Sequence, residues 1–425
     1  MFYSNCVSEG IISRSFVDMR RRNALSILDV VRHQPGVSRA DLSRAVNLSR
    51  ATVSNIVDEL ISIGMLEEIG AMNTSRGRKP IGLNFCPHSR YEAGVSIEDG
   101  KCRIAICDLD GNPTHRGAVN IGKQLNSDAA AKLAETVENL LQKAGGTKKR
   151  LGTLGLALPG PLQVDKPVLG ETLPRPPKKY AGFAREMEKN LGVNVHICSN
   201  TRAAALAEAR RGGLELDGWV IFVRLGHKVR CAVALDGRLV ETESELGGDL
   251  GELCVPGNDF TCQCGKVGCI NSVAAADAII GLCQQRGLAV ETTNQLIALV
   301  QSKDADARDI VRQAASAIGY GIATTINIFS PAAVVVSGPL VESGEAFWSV
   351  LDKSVKRYAL TENLKRCEIR KANLWKEAEA IGASLFALSR DGLLPTLIAQ
   401  DKAAIVGSMA NDNALPEPVD EVALD

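Results

Sequence analysis

The sequence predicts an α/β protein with a small N-terminal domain and a larger body of two similar lobes. Three observations lead to this prediction. Apolar residues recur at helical spacing before Gly64, and a β-hairpin pattern follows them. From Tyr91 onward, glycine-rich strand patterns alternate with helical ones, and this alternation occurs twice. The length of 425 residues fits two or three domains at about 150 residues per domain.

Composition excludes several classes of protein. Hydrophobic residues make up 45% of the chain and charged residues 23%, so the chain has enough apolar side chains to fold. The longest apolar runs, such as residues 332–336, fall far short of the ~20 residues that a membrane helix needs. The N-terminus lacks the basic and apolar regions of a signal peptide. We therefore expect a cytoplasmic protein with no membrane contact.

The charge is segregated along the chain, although the net charge is zero. The first 90 residues contain 12 Lys and Arg against 8 Asp and Glu, and the remainder contains 37 against 41. This pattern describes a basic N-terminal domain on a mildly acidic body. Any contact with nucleic acid is therefore expected in the N-terminal domain.

Three short helices are predicted in the N-terminal domain. The first covers residues 19–34 and ends before Pro35-Gly36. Ser38 caps the second, with Asp41 as the acidic partner of a capping box. Ser49 caps the third, which runs to about Ile63 and buries apolar residues at positions i, i+3, i+4 and i+7.

A hairpin pattern with strands at residues 65–69 and 80–85 follows the third helix. Three helices with a tight turn between the second and third, followed by a hairpin, are typical of a winged helix-turn-helix. Arg50 can reach a guanine and Asn55 an adenine, while the hairpin tip carries cations for phosphates or a minor groove. The predicted DNA-binding residues are Ser49, Arg50, Thr52, Ser54, Asn55, Arg76, Arg78 and Lys79. The alternative is a three-helix dimerisation or docking module with a solvated charged face.

The body shows two sets of alternating strands and helices, which indicates two α/β lobes with a cleft between them. The first set has strands at 91–97, 102–108, 118–121 and 151–158 and a helix at 127–144. The second set has strands at 219–225, 230–235 and 333–337 and a helix near 274–285.

Four separate segments of the body resemble the ROK family, which contains bacterial sugar kinases and sugar-responsive repressors. They are Leu156–Pro161, Ala203–Glu208, the cysteine segment Cys262–Cys269, and residues 327–339. The repressor branch of this family carries an N-terminal winged helix, as is predicted here, so the resemblance covers about residues 18–390. It implies a two-lobed actin-like (ribonuclease-H-like) fold that binds a ligand in its cleft.

The resemblance also implies that the kinase chemistry has been lost. Asn200 occupies the position of the family's catalytic Asp, and an amide forfeits a general-base contribution of about 10²–10⁴. Glu98 and Asp99 stand in the first phosphate loop, where they would repel phosphate. The second glycine-rich turn has become residues 226–230, with bulky side chains where backbone must approach a phosphate. We therefore predict that the protein is not an enzyme.

A structural zinc site is predicted in the cysteine segment. Cys262, Cys264 and Cys269 supply three thiolates within one glycine-containing loop, and soft ligands of this kind suit Zn²⁺. The family's fourth ligand is a His at the position of Glu252, and Cys254 is the competing candidate. The alternative is three reduced thiols without a metal.

The resemblance also places the effector cleft. The family reads sugar hydroxyls with five positions that are occupied here by Ser199, Asn200, Asp249, Glu252 and Asn271. All five differ from the family pattern but remain polar, which fits a sugar or a sugar derivative. The nearby basic residues His227, Lys228 and Arg230 suit an anionic one. The alternative is an empty, purely structural cleft.

These observations predict a sequence-specific transcriptional regulator, a repressor of carbohydrate-related genes, that binds a double-stranded DNA operator. It is expected to be a homodimer or homotetramer, associated with the bacterial nucleoid when bound to DNA, and controlled by the cleft ligand. The alternatives are an active sugar kinase with a DNA-binding head, and a regulator that a protein partner controls through a vestigial cleft. The expected domains are an N-terminal arm (1–17), the winged helix domain (18–88), the body (89–392, with lobes divided near 200) and an acidic flexible tail (393–425).

Overall fold

A computed structural model gives the fold of the chain. It confirms the predicted mixed α/β class, with a helical N-terminal domain (the head) and a two-lobed body. No helix in the described part of the chain combines the length and apolar character needed to cross a membrane. The structure describes residues 23–24, 26–71, 81–160, 162–164, 174–175, 178–213, 218–240 and 248–390.

The head forms as its local signals predict. Ser38 and Asp41 make both hydrogen bonds of a capping box, and the Ser49 side chain accepts from the backbone N–H of Thr52. Asn47 adopts a positive φ of 52° in the turn between the second and third helices. The elements of the head are α1 (residues 26–33), β1 (Val37–Ser38), α2 (Arg39–Ala45), α3 (Arg50–Ser62), β2 (Leu66–Ala71) and β3 (Ile81–Phe85). The three strands form an antiparallel sheet in the order β1-β3-β2.

The head is seated directly on the first lobe. Its apolar core includes Leu109 and Leu388, which belong to the body. The Arg32 Nε atom lies 2.7 Å from the Asp110 carboxylate, and their side chains are only 11% and 23% exposed. Helix α1 and the turn at residues 109–111 therefore join the two domains through apolar packing and a half-buried ion pair.

Lobe 1 is a five-stranded mixed sheet in the order β10-β7-β4-β5-β6. Strands β4, β7 and β10 run parallel, so their carboxyl ends meet at one edge of the sheet. The elements are β4 (Tyr91–Glu98), β5 (Lys101–Asp108), β6 (Pro113–Asn120), α4 (Ser127–Lys143), β7 (Leu151–Leu158), β8 (Gln163–Val164), β9 (Pro174–Arg175), α5 (Lys178–Leu191), β10 (Asn194–Ser199) and α6 (Asn200–Arg211).

Lobe 2 is a second five-stranded sheet in the order β13-β12-β11-β14-β15, covered by the longest helix of the described chain. Its elements are β11 (Trp219–Leu225), β12 (Val229–Leu235), β13 (Arg238–Leu239), α7 (Asn271–Ala274), α8 (Ala276–Gln285), α9 (Thr293–Gln301), α10 (Ala305–Phe329), β14 (Ala333–Ser337), α11 (Glu345–Tyr358), α12 (Thr361–Leu364) and β15 (Glu368–Lys371).

A helical layer lies between the two sheets. It consists of α6 and the last helix, α13 (Ala378–Arg390), whose alanine-rich faces form one core with residues of both sheets. Gly94 and Gly155 leave no room for a β-carbon against the backbone of α13, so the helix packs directly on strands β4 and β7. Lobe 1 is therefore completed by α13, which follows lobe 2 in the sequence, and is not one continuous segment.

The observed elements differ from the predicted ones at two places. The strand expected at 118–121 extends over Pro113–Asn120, because it pairs along the whole of β5. The helix expected near 274–285 is two helices, separated at Ala275 by extended backbone with φ −71° and ψ 146°. This break lets the Ala276 N–H donate to the Gly226 carbonyl in the turn after β11.

Candidate DNA surface, metal centre and ligand cleft

Helix α3 has one buried and one exposed face. Val53, Ile56, Val57 and Leu60 are at most 5% exposed and fill the core of the head, as the spacing predicts. Arg50 and Asn55, the two residues predicted to read bases, are exposed on the opposite face. This arrangement is the one by which a helix enters a major groove with its N-terminal residues on the base edges.

The other predicted contacts on α3 have partners within the head. The hydroxyl groups of Ser49 and Thr52 lie 2.8 Å apart at the N-cap. The Ser54 hydroxyl accepts a hydrogen bond of 2.9 Å from Arg39. Residues Arg76, Arg78 and Lys79 of the hairpin tip lie outside the described residues.

Arg39 is a structural residue of this surface that the sequence reasoning missed. Its guanidinium also pairs with Asp58 at 2.6 Å and with Glu68 at 2.9 Å. Through these contacts Arg39 joins α2, α3 and β2. Its partners are 15 to 29 residues away, so no local sequence pattern reveals them.

The three cysteines of the predicted metal site come together in space. The Sγ atoms of Cys262, Cys264 and Cys269 all lie within 4.8 Å of one another. The loop is closed by a 2.7 Å hydrogen bond from the Cys262 N–H to the Lys266 carbonyl. Three convergent sulfur atoms match the ligand set of a tetrahedral Zn²⁺ site.

The acid–base properties of these thiols fit a cation site. A backbone hydrogen bond from Lys266, and then the Cys262 thiol, lower the pKa of Cys264. Burial, and then the neighbouring Cys264 thiol, raise the pKa of Cys269 to about 12. Crowded thiols resist ionising together, and a bound divalent cation removes this penalty by neutralising the thiolates.

The two candidate fourth ligands differ in their contacts. The Glu252 carboxylate lies 3.4 Å from Lys228 Nζ and 4.0 Å from Lys266 Nζ, and Lys266 belongs to the cysteine loop. The exposed Cys254 thiol instead donates to a backbone carbonyl at 3.5 Å. Within the described residues, neither side chain belongs to the 4.8 Å group. Glu252 nevertheless lies beside the cysteine loop, next to Lys266.

The predicted effector residues come from both lobes. Ser199 and Asn200 are buried where β10 passes into α6. Asp249 pairs with Arg230 of lobe 2, with 2.9 Å between Oδ1 and Nη2. Buried Asn271 accepts a 2.8 Å hydrogen bond from the Val229 N–H.

An ion-paired arginine joins the lobes at the former phosphate loops. Arg224 of β11 contacts Glu98 of β4 at 3.0 Å and Glu379 of α13 at 2.9 Å. Burial opposes the charge of Arg224, but the Glu379 and Glu98 carboxylates together raise its pKa above the ordinary value. Glu98, which the resemblance aligns with a phosphate loop, is thus paired with a cation of the other lobe.

A separate cavity of about 380 Å³ opens between the cysteine loop and α8. Of the predicted effector residues, only Asn271 lines it. Phe260, Gln263 and Lys228 contribute to its rim. This cavity therefore adjoins the metal loop and is lined by residues of lobe 2.

Comparisons with known proteins agree with this architecture. A sequence profile of the ROK family matches residues 92–390, and a profile of winged helix-turn-helix DNA-binding domains matches residues 20–67. The chain is 24% identical over 388 residues to a putative xylose repressor of Caldicellulosiruptor sp., covering 87% of this chain and 96% of that protein. It is 22% identical over 378 residues to the transcriptional repressor Mlc of Escherichia coli, covering 86% and 93% respectively.

Solved structures show the same fold. A ROK family transcriptional regulator, a homologue of E. coli Mlc, superposes with a TM-score of 0.72 at 22% identity, covering 90% of this chain and all of that one. A ROK hexokinase from Thermus thermophilus superposes with a TM-score of 0.59 at 28% identity, covering 71% of this chain and 98% of that one. These two family members are named as a regulator and a kinase, and the regulator matches the larger share of this chain. Because the family profile spans residues 92–390, well over half of the 425 residues, the chain belongs to the ROK family.

Proposed function

We propose that this chain is a sequence-specific DNA-binding transcriptional regulator that represses carbohydrate-related genes in the bacterial cytoplasm. The observation that carries the proposal is α3, whose buried face fixes it in the head while Arg50 and Asn55 remain exposed. Relatives that match nearly their whole length to this chain are named as repressors, of xylose among others. The proposed domain bounds are 18–88 for the head and 89–392 for the body.

Genome-wide capture of the bound DNA tests this function. At a stated salt concentration, we expect sharp enrichment at a few promoters that share one sequence motif. Salt must be controlled, because phosphate contacts dominate affinity and weaken steeply as salt rises. Diffuse enrichment by the folded, metal-loaded protein would contradict the proposal.

We expect Arg50→Ala to weaken binding to the captured operator and to relax its base preference. Loss of one bidentate arginine–guanine contact costs about 1–3 kcal/mol of discrimination. Titration of operator and scrambled duplexes measures both effects. Arg150→Ala, which removes an exposed arginine from the body, is the matched control and should change neither affinity. An equal loss on both duplexes would mean that Arg50 contacts phosphate.

We further propose that the protein acts as a homodimer or homotetramer. A single winged helix makes few base contacts, and two heads on one symmetric assembly gain affinity through effective concentration. The symmetry of the assembly then sets the spacing of the operator half-sites. The direct seating of the head on lobe 1 supports this proposal, because it transmits the symmetry of the body to the heads.

A ligand in the cleft would control the heads through α6. The N-terminus of α6 lies at the cleft with Asn200, and the Arg211 guanidinium at its other end donates to the Asp110 carbonyl. The Asp110 carboxylate in turn pairs with Arg32 of the head. A ligand that binds one lobe geometry more tightly would thus shift the population of head orientations. The size of this shift is set by the difference between its binding free energies for the two geometries.

Arg32→Ala tests this seat of the head. Removing Arg32 leaves the largely buried Asp110 carboxylate without its cation, at a cost of about 3 kcal/mol, so we expect the head to unfold before the body. Calorimetry should then resolve an early transition, and amide exchange in α3 should accelerate relative to α10. Arg44→Ala is the matched control, since its side chain is 79% exposed and pairs within its own helix. A single unchanged transition would contradict the coupling.

We propose that the body holds a structural Zn²⁺ through Cys262, Cys264, Cys269 and Glu252. The converging thiols and the position of Glu252 beside Lys266 of the cysteine loop support this ligand set. With four protein ligands the ion would leave no open position for substrate. Its role would be to hold the cysteine loop beside the cleft.

We also propose that the body does not transfer phosphate. The position of the family's catalytic Asp is Asn200, whose amide cannot accept a proton at neutral pH. Arg224 pairs with Glu98 and Glu379, so charged side chains of the protein itself lie beside the segments that the resemblance aligns with the phosphate loops. Both features support a ligand-sensing body over a kinase.

A further inference from the structure

Arg230 reaches across the cleft to the edge of lobe 1 where a ligand would bind. Ligands of open α/β sheets bind outside the carboxyl ends of the parallel strands. At that edge, Gly160 follows β7 and Ser199 ends β10. A β-carbon on Gly160 would lie 3.2 Å from Arg230 Nη1 and 3.4 Å from the Ser199 β-carbon. The guanidinium therefore stands in the ligand position of the sheet.

The Arg230 guanidinium has one edge occupied and another facing this position. Its side chain is 11% exposed, and Nη2 pairs with Asp249 at 2.9 Å. Among the described residues, Asp249 is the carboxylate that this guanidinium contacts. Asp249 offsets part of the free-energy cost of burying this cation. A guanidinium carries five N–H donors, so its Nη1 edge can still bind a second oxyanion.

The described groups beside the Nη1 edge of Arg230 are uncharged. Gly160 lies against this edge, and Ser199 and Asn200, at the same end of the sheet, are buried neutral side chains. The N-terminus of α6 at Asn200 adds a partial positive charge.

We propose that the cleft selects an anionic carbohydrate derivative, a sugar bearing a carboxylate or a phosphate, and that Arg230 is the residue that selects it. The oxyanion binds the Nη1 edge of Arg230, and the sugar hydroxyls face Ser199 and Asn200. This inference rests on the proposed role of the cleft as a ligand site. It extends that role by assigning the chemical class of the ligand.

Thermal-shift assays and calorimetric titration of the full-length protein, without DNA, test the inference. The probes are D-glucuronate, D-glucose 6-phosphate and D-glucose at equal ionic strength. We expect one of the two anionic probes to bind, and the neutral sugar to bind at least about tenfold more weakly, since a charged hydrogen bond contributes about 1.5–3 kcal/mol. Whichever anion binds identifies the carboxylate or the phosphate as the recognised group.

Variants of Arg230 assign the selectivity to this side chain. Arg230→Gly restores the glycine of the family turn and should weaken binding of the anion about 10- to 100-fold. Arg230→Lys keeps the positive charge but lacks the planar guanidinium. Its affinity for the anion should lie between those of the wild type and Arg230→Gly. Arg230→Gln repeats the test if the glycine variant is unstable. Arg238→Ala removes an exposed arginine of the same lobe and should leave binding unchanged.

Three results would overturn the inference. They are glucose binding as tightly as the anions, unaltered anion binding by Arg230→Gly and Arg230→Gln, and binding of neither anionic probe. Each is measured without DNA, so each leaves the operator-capture result untouched. Failure of capture would reject the regulator itself, whereas failure of these titrations rejects only the ligand class.

Discussion

Arg224→Ala is expected to lower the free energy of unfolding by about 3 kcal/mol, since removing one partner of a buried ion pair costs about 3–5 kcal/mol. The Arg224 and Glu379 side chains are 15% and 13% exposed, so the variant leaves a largely buried carboxylate without its cation. Glu98 is 36% exposed, so water can solvate its carboxylate in the variant. The loss of stability should therefore fall at the lower end of the range of about 3–5 kcal/mol. Urea unfolding followed by circular dichroism at pH 7 measures it.

A matched arginine shows what an exposed network contributes. Arg286 pairs with Asp306 and Asp309, but these side chains are 29%, 59% and 51% exposed. Arg286→Ala should therefore cost less than about 1 kcal/mol. Adding Glu98→Gln and Glu379→Gln to Arg224→Ala should recover part of its loss, because the unpaired charges are then gone. Equal costs for the two arginine variants would show that the Arg224 contacts do not join the lobes.

Cys264→Ser is expected to abolish stoichiometric zinc binding and to destabilise the body. Structural zinc binds small peptides with an apparent free energy of about 10–16 kcal/mol, which is available only to a folded loop. Within the described residues, Cys262, Cys264 and Cys269 form the group that can hold an ion, and removing one thiolate leaves an incomplete ligand set. Elemental analysis of zinc per chain and the urea midpoint measure the two effects.

Two further variants separate the candidate fourth ligands. Glu252→Gln should lower zinc affinity, because Glu252 is the proposed fourth ligand and lies beside Lys266 of the cysteine loop. Cys254→Ser should retain one zinc ion per chain, since that thiol bonds to a backbone carbonyl. Cys367→Ser, at a half-buried cysteine elsewhere in lobe 2, is the control. Unchanged zinc content in Cys264→Ser would refute the site.

The head and the metal loop were predictable because their determinants are local. Ser38 and Ser49 cap helices within three residues of their partners, and the buried face of α3 follows directly from the helical period. The three cysteines lie within eight residues on a turn-forming loop. The strands Leu151–Leu158, Trp219–Leu225 and Ala333–Ser337 were also predicted to the residue, since buried strands read as apolar runs.

The positions of the charged groups were decided by the tertiary structure. Arg224 meets its partners across 126 and 155 residues of sequence, and Arg39 meets Glu68 across 29. An ion pair has no sequence period, because either partner can come from any element that the fold brings near. The completion of lobe 1 by α13 likewise requires both sheets to be in place. The sequence by itself determined which elements form and which residue types line the cleft, and the packing of those elements decided that Arg230 faces the ligand position.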